Sequence, residues 1–201
     1  MSNTVDLPEQ ASRPLRADAR RNREKVLEAA RAAFAEHGRE AQMDDVARRA
    51  EVGIGTVYRH FPTKEALIIA LAEDTFARIA ERSRVLLERD DAWQAFVDML
   101  WDAGESLAGD RALTEAMSVD ISPEPSAGQL ELTAIGAELM RRAQADGHMR
   151  PDVIVDDVPM LMCGVGSATK RPHPYAQSWR RHLAILIDGL RASSASGELP
   201  R

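Results

Sequence analysis

Apolar residues recur three and four positions apart along most of the chain, which is the period of an α helix. The pattern is clear at Val26, Leu27, Ala30, Ala33 and Phe34 and returns in several later segments. No run of alternating apolar residues is long enough to predict a strand, and only 4% of the residues are aromatic, which disfavours a sandwich or barrel of strands. With 44% hydrophobic residues the chain can bury a core. The sequence therefore predicts an all-α protein.

The pattern divides the chain into four regions. Bulky apolar residues are scarce in residues 1–17, which contain Pro8 and Pro14 and are predicted to form a flexible basic arm. The others are a first helical domain over 18–64, a second over 65–192, and a tail over 193–201 that is predicted to fray. Helices are expected over 18–37, 43–50, 54–61, 64–87 with Thr63 as its cap, 92–107, 111–117, 129–145, 157–170 and 175–191.

Charge is distributed unevenly between the two ends of the chain. The formal net charge is -6, but residues 1–64 hold 12 Lys or Arg against 10 Asp or Glu, and the remainder holds 14 against 22. The basic excess is densest over residues 13–25. This cluster is either a solvated helix face or a phosphate-binding arm.

Cys163 is the only cysteine, which excludes an intramolecular disulfide framework and a zinc site built from several cysteines. A lone thiol fits a reducing compartment, so the expected location is the cytoplasm. No stretch approaches the roughly 20 apolar residues that cross a bilayer. Residues 1–10 lack a basic region followed by an apolar run, so we predict neither a membrane span nor an export signal.

Residues 43–67, MDDVARRAEVGIGTVYRHFPTKEAL, are typical of a helix-turn-helix. Two short predicted helices are joined by a turn at Gly53, and the second helix would present its first residues to base edges in the major groove of DNA. Gly55 costs this helix about 1 kcal/mol relative to alanine. It indicates either close approach to a partner or a glycine that is merely tolerated.

The charges near the end of this segment differ in what they indicate. Lys64 lies in the first turn of its predicted helix, where a cation opposes the positive end of the helix dipole. A bound phosphate would offset this, and so would the neighbouring Glu65. Arg59 and His60 lie near a helix C-terminus, where positive charge is favourable without a ligand. The hydroxyl groups of Thr56 and Tyr58 could hydrogen-bond either to phosphate oxygens or to a nearby backbone group.

The sequence VGIGTVYRHFPTKEAL at residues 52–67 resembles the DNA-binding signature of the TetR family of transcriptional regulators, and the resemblance extends over about residues 18–71. It implies about nine helices, a dimer and an effector pocket in the C-terminal domain. It also implies phosphate or base contacts from Thr56, Tyr58, His60 and Lys64, with Ile54, Gly55 and Arg59 on the surface of the recognition helix and Arg48 as a further candidate. One departure is that Gln42 and Met43 stand where the family usually has a threonine or serine as cap and phosphate ligand.

The C-terminal domain is rich in large, adaptable apolar side chains, which is typical of either a helical core or a ligand pocket. The interpretation as a ligand pocket depends on the family resemblance. Several of the candidate pocket residues carry a polar group that would orient a bound ligand. The candidate effector residues are Trp93, Phe96, Trp101, Met117, Met140, His148 and Cys163. They favour a lipophilic or aromatic small molecule, and no cofactor is predicted.

A homodimer is expected to form through the last two helices, with Gly164 and Gly166 in a four-helix interface. Two recognition helices about 34 Å apart would match successive major grooves of a palindromic operator. An effector that binds better to the form with wrongly spaced helices would then lower DNA affinity, so we expect a repressor.

No catalytic constellation is recognisable. The five histidines show no metal-binding spacing, and Ser178 and His182 lack the context of a nucleophile. We therefore predict that the protein is not an enzyme. Two alternatives stay open: a regulator that senses redox state through Cys163, although such a residue more often fills a core, and an all-helical protein-interaction module that does not bind DNA.

Overall fold

The computed structural model describes residues 12–110, 124–169 and 178–200. These residues form eight α helices and no strand, which confirms the all-α prediction. The helices are α1 Ser12–His37, α2 Met43–Arg49, α3 Ile54–His60, α4 Lys64–Ser83, α5 Ala92–Gly109, α6 Ala127–Ala145, α7 Asp157–Thr169 and α8 Ser178–Gly189. Three short 3-10 helices accompany them, Gly38–Glu40, Arg84–Glu88 and Ala192–Ser194. The helix expected over 111–117 lies outside the described residues.

The first helix begins earlier than the sequence analysis expects. α1 starts at Ser12 rather than at Asp18, so the end of the predicted flexible arm is helical. Pro14 is the third residue of the helix, in the first turn, where the missing N–H would have had no intrahelical partner. A proline at this position is compatible with a helix, so it does not mark an irregular arm.

The chain divides into two compact units, residues 1–67 and residues 68–201. In the first unit α1, α2 and α3 pack on one another. Their shared core is made of side chains that are almost fully buried, namely Val26, Leu27, Ala30, Ala33, Phe34, Met43, Val46, Ala47, Val57, Phe61 and Leu67. The domain limits predicted from the sequence, 18–64 and 65–192, place the boundary between the domains close to the same point. These domain assignments stay a prediction.

In the second unit α5 is the central element and packs against α6, α7 and α8, while α7 also packs against α8. Close approach is possible because small residues face large ones. A Cβ on Gly104 of α5 would lie 2.8 Å from the ring of Trp179 on α8. Capping residues fix where two helices begin: the side chain of Asp91 accepts from the N–H of Gln94, and Ser126 and Gln129 form a capping box at the start of α6.

The end of the chain is bound to the second unit rather than frayed. Met149 and Arg191 form an isolated antiparallel bridge. Beyond it, the Arg150 guanidinium donates to the carbonyl of Gly197 at 2.7 Å, and the N–H of Leu199 donates to Asp152 at 2.8 Å. The composition of residues 193–201 is that of a loose tail, but these long-range hydrogen bonds supply partners for its backbone.

Every helix in the described part of the chain is too short or too polar to cross a membrane.

Candidate nucleic-acid interface

The turn between α2 and α3 differs from the expected one. The only described non-glycine residue with a positive φ is Glu51, at 55°, so this residue carries the left-handed conformation of the turn. Gly53 is extended, with φ -67° and ψ 145°, and it immediately precedes α3. At the start of α2, Gln42 makes no capping bond to the helix, and its amide donates instead to the carbonyl of Glu40. The capping contact usual for the family is therefore absent at this residue.

Four of the seven residues of α3 are exposed to solvent. Its one buried residue is Val57, whose side chain fixes the helix to the core. Ile54 is 37% exposed and Tyr58 is 47% exposed, and residues four apart on a helix lie on the same side. A Cβ on Gly55 would meet nothing within 4 Å. Exposed apolar and aromatic groups on such a short helix are typical of a surface that meets a partner.

Buried aromatic rings lie close to three basic side chains around the end of α3 and the start of α4. The Nζ of Lys64 lies 5.8 Å from the ring centroid of Phe34. The ring of His60 lies 6.2 Å from that of Phe61, and the guanidinium carbon of Arg23 lies 5.4 Å from the Phe61 centroid. The two phenylalanines are nearly fully buried, so their rings are rigid supports for these side chains.

An ion-pair network joins α1 to α2. Arg49 bonds both carboxylate oxygens of Glu36, at 2.6 Å and 2.9 Å, and also bonds Asp45 at 2.8 Å. The hydrogen bond from Arg49 lowers the pKa of Glu36. Partial burial raises the pKa of Asp45, but the hydrogen bonds from Arg49 and Arg48 outweigh it and leave that pKa lowered. The network holds the first helix of the pair in place, and sequence reasoning missed it because Glu36 and Arg49 are far apart in the chain.

All eight candidate DNA-contacting residues lie within the described residues. Six belong to α3: Ile54, Gly55, Tyr58 and Arg59 are exposed, and Thr56 and His60 are half-buried. Lys64 is the first residue of α4, in the first turn as predicted, and it is half-buried. Arg48 is highly exposed and pairs with Asp45 of its own helix. Their roles in binding stay predictions.

The candidate effector residues do not form one group. Trp93, Phe96 and Met140 are in the core of the second unit, and Trp101 packs against it, 6.1 Å from the ring of Trp179. The indole N–H of Trp93 is buried and has no hydrogen-bond partner among the described residues.

The remaining three candidates differ in their surroundings. His148 and Cys163 are exposed, so Cys163 is not the small core residue that the sequence favoured. α7 is apolar at most positions, and such a helix does not reveal from sequence which face is covered. Met117 lies outside the described residues.

The fold and this surface define a helix-turn-helix protein with a separate helical domain. Residues 26–71 match the family described as bacterial regulatory proteins, tetR family, and residues 90–192 match the C-terminal domain of SbtR-like transcriptional regulators. The chain belongs to the TetR family of bacterial regulatory proteins.

Several relatives are similar over most of the chain. The transcriptional repressor KstR of Mycolicibacterium smegmatis is 32% identical over 66% of this chain and 68% of its own length. The transcriptional repressor Rv1474c of Mycobacterium tuberculosis is 30% identical over 89% of this chain and 85% of its own. A solved TetR regulatory protein of Mycobacterium vanbaalenii is 38% identical, covers 89% of this chain and 99% of its own, and superposes with a TM-score of 0.61.

Proposed function

We propose that the protein is a transcriptional repressor that inserts α3 into the major groove of a palindromic operator and is released by a small lipophilic or aromatic effector. The observation that carries the proposal is the exposed surface of α3, where only Val57 is buried. An α helix fits the major groove, and its first residues reach base edges there. That two relatives are named repressors supports repression rather than activation.

Within this proposal the side chains divide into two kinds of contact. Thr56, Tyr58, His60 and Lys64 bind phosphate oxygens and position the protein on the duplex. Arg59 lies exposed on α3 and reads a base edge, because a guanidinium matches the two acceptors of guanine. Phosphate contacts give affinity for any sequence, and base contacts give preference among sequences.

A titration of duplex DNA at several salt concentrations tests this division. We expect log K to fall steeply with log salt, and Lys64→Ala to weaken binding equally on all sequences and reduce the slope by about 0.9, the value for one phosphate that is no longer neutralised. We expect Arg59→Ala to change the order of preference among operator variants recovered by selection from random DNA. Binding that is absent or independent of salt would contradict the proposal and favour a protein-interaction module.

We also propose that the dimer forms through an exposed face of α7 and α8. Met160 is 74% exposed and Ile185 is 60% exposed, and Cys163 is exposed on the same helix as Met160. Large exposed apolar side chains on adjacent helices are typical of an interface in a helical dimer. Gly166 is not part of this face, because it is buried within the subunit near Leu107 of α5.

The buried indole N–H of Trp93 supports an effector site in the second unit. A buried donor without a partner is costly, and an effector that carries a hydrogen-bond acceptor would remove that cost. Titrating a panel of aliphatic acids and phenols into the protein–DNA complex should identify compounds that release DNA. Trp93→Phe keeps an aromatic ring and removes the donor, so it should weaken that response. An unchanged response would exclude the indole donor from the site.

A further inference from the structure

We propose that Arg23 of α1 is an additional phosphate-binding residue of the DNA interface, positioned by the ring of Phe61. The proposal rests on the proposed DNA-binding function and extends it to a helix outside the helix-turn-helix. The family resemblance assigns no contact to this residue.

The geometry around Phe61 carries the argument. Phe61 directly follows α3 and is almost fully buried, so its ring is fixed by the core. The guanidinium carbon of Arg23 lies 5.4 Å from the ring centroid, and the ring of His60 lies 6.2 Å from the same centroid. Arg23 and His60 therefore lie at the same end of the recognition helix.

A guanidinium over a ring is well prepared to bind phosphate. A cation–π contact engages the charge of the guanidinium and uses none of its N–H donors in hydrogen bonds. Those donors match two oxygens of one phosphate. Because the side chain is already held by the ring, less conformational freedom is lost when phosphate binds.

The neighbours of Arg23 on α1 are engaged differently. Arg20 pairs with Glu24, and Arg21 pairs with Asp18. In the part of the chain that the structure describes, Arg23 pairs with no carboxylate, and its one described contact is with Phe61. Lys64, the phosphate ligand proposed at the start of α4, is likewise held over a core ring, that of Phe34. Two cations on two buried phenylalanines thus border the end of α3.

Lys25 is a matched control on the same helix. It is exposed, and two positions on a helix are separated by about 200°, so Lys25 lies on nearly the opposite side of α1 from Arg23. Arg23→Gln and Lys25→Gln each remove one positive charge. A difference in DNA binding between these two variants therefore reports the position of the lost charge and not the change in net charge.

The experiment measures binding of duplex DNA by the full chain between low and high salt. Arg23→Gln should reduce the slope of log K against log salt by about 0.9, as expected when one phosphate is no longer neutralised, with equal weakening on operator and generic DNA. Lys25→Gln should leave the slope close to that of the native chain. Arg23→Lys keeps a cation over the ring and should retain most of the slope.

The other outcomes separate this inference from the proposed function. If Lys64→Ala reduces the slope and Arg23→Gln does not, DNA binding stands and this inference is wrong. Equal reductions for Arg23→Gln and Lys25→Gln would assign the effect to net charge and also overturn it. If the native chain shows no salt-dependent binding, the proposed function fails and the inference fails with it. Thermal unfolding of each variant tests whether the contact between Arg23 and Phe61 is purely structural. In that case Arg23→Gln would lower the melting temperature without changing the salt slope, and the inference would be overturned too.

Discussion

Gly55 is the second residue of α3, and no contact among the described residues requires a glycine at this position. An added Cβ would meet no atom within 4 Å, and the residue is exposed. Glycine inside a helix costs about 1 kcal/mol relative to alanine. The chain therefore has a locally destabilising residue on the surface that we propose to approach DNA, which a need for close approach explains.

Gly55→Ala should therefore separate stability from binding. We expect the free energy of unfolding to rise by about 0.5–1 kcal/mol, measured by urea denaturation. DNA affinity should fall by about tenfold, which is about 1.4 kcal/mol, because the methyl group meets the groove. Gly109→Ala is the control: it also has open space around its Cβ but lies at the end of α5. Unchanged affinity in Gly55→Ala would make Gly55 a tolerated glycine.

At the scale of elements, close helix contacts depend on single small residues. A Cβ added at Gly128 would lie 2.6 Å from the backbone nitrogen of Ala77 on α4. Backbone cannot move aside as a flexible side chain can, so the start of α6 would have to shift. Gly128 is therefore required by the packing of α6.

Gly128→Ala should lower the free energy of unfolding by about 1–3 kcal/mol, the usual cost of overpacking. The same change at Gly109, where a Cβ meets nothing within 4 Å, should have little effect or stabilise slightly. Denaturant titrations of both variants check this. If Gly128→Ala is as stable as the native chain, α6 shifts to accommodate the methyl group with no loss in the free energy of unfolding.

The contact of the C-terminal segment with the α6–α7 loop should depend on pH. Asp152 accepts two hydrogen bonds from the Arg150 guanidinium, at 2.6 Å and 2.8 Å, and one from the N–H of Leu199. These hydrogen bonds lower the pKa of Asp152 in the folded protein. A carboxyl group with a lowered folded pKa stabilises the fold above its ordinary pKa, and that contribution is lost as the pH falls through the folded value.

We expect Asp152→Asn to melt at a lower temperature than the native chain at pH 7. The difference between the two should shrink as the pH falls below about 4, because unfolding of the native chain then lets this carboxyl group take up a proton. Asp90→Asn, at an exposed position, is the control and should follow the native chain throughout. A constant difference at all pH values would show that charge on Asp152 is not what stabilises the segment.

At the scale of the whole molecule, the exposed face of α7 and α8 determines the oligomeric state in our proposal. A charge placed in an apolar interface loses its hydration without gaining a partner. Ile185 is the largest exposed apolar side chain on α8, and Leu130 of α6 is exposed to a similar degree, at 57% against 60%. The two positions therefore form a matched pair.

Ile185→Glu should convert the dimer to a monomer in light scattering after gel filtration, and binding to a palindromic operator should weaken as the two half-sites lose their link. Leu130→Glu should leave the dimer intact. A dimeric Ile185→Glu variant would mean that the subunits associate through another face.

Local signals allowed the sequence by itself to determine the class of fold, the two helices of the helix-turn-helix and the positions of several helix ends. Thr63 caps α4 through the N–H of Ala66, three residues away, and Pro62 separates α3 from α4 as expected. Signals of this kind act within one turn of helix, so a linear chain displays them. The candidate DNA contacts came from the family resemblance, and they stay predictions.

Only the tertiary structure decided which residues that are distant in the chain lie in contact. Arg23 lies over Phe61 across 38 positions, Arg49 bonds Glu36 across 13, and Leu199 bonds Asp152 across 47. It also decided that Cys163 is exposed while Trp93 is buried. The period of apolar residues shows that a helix has faces, but which face is covered depends on the neighbouring helices that pack against it.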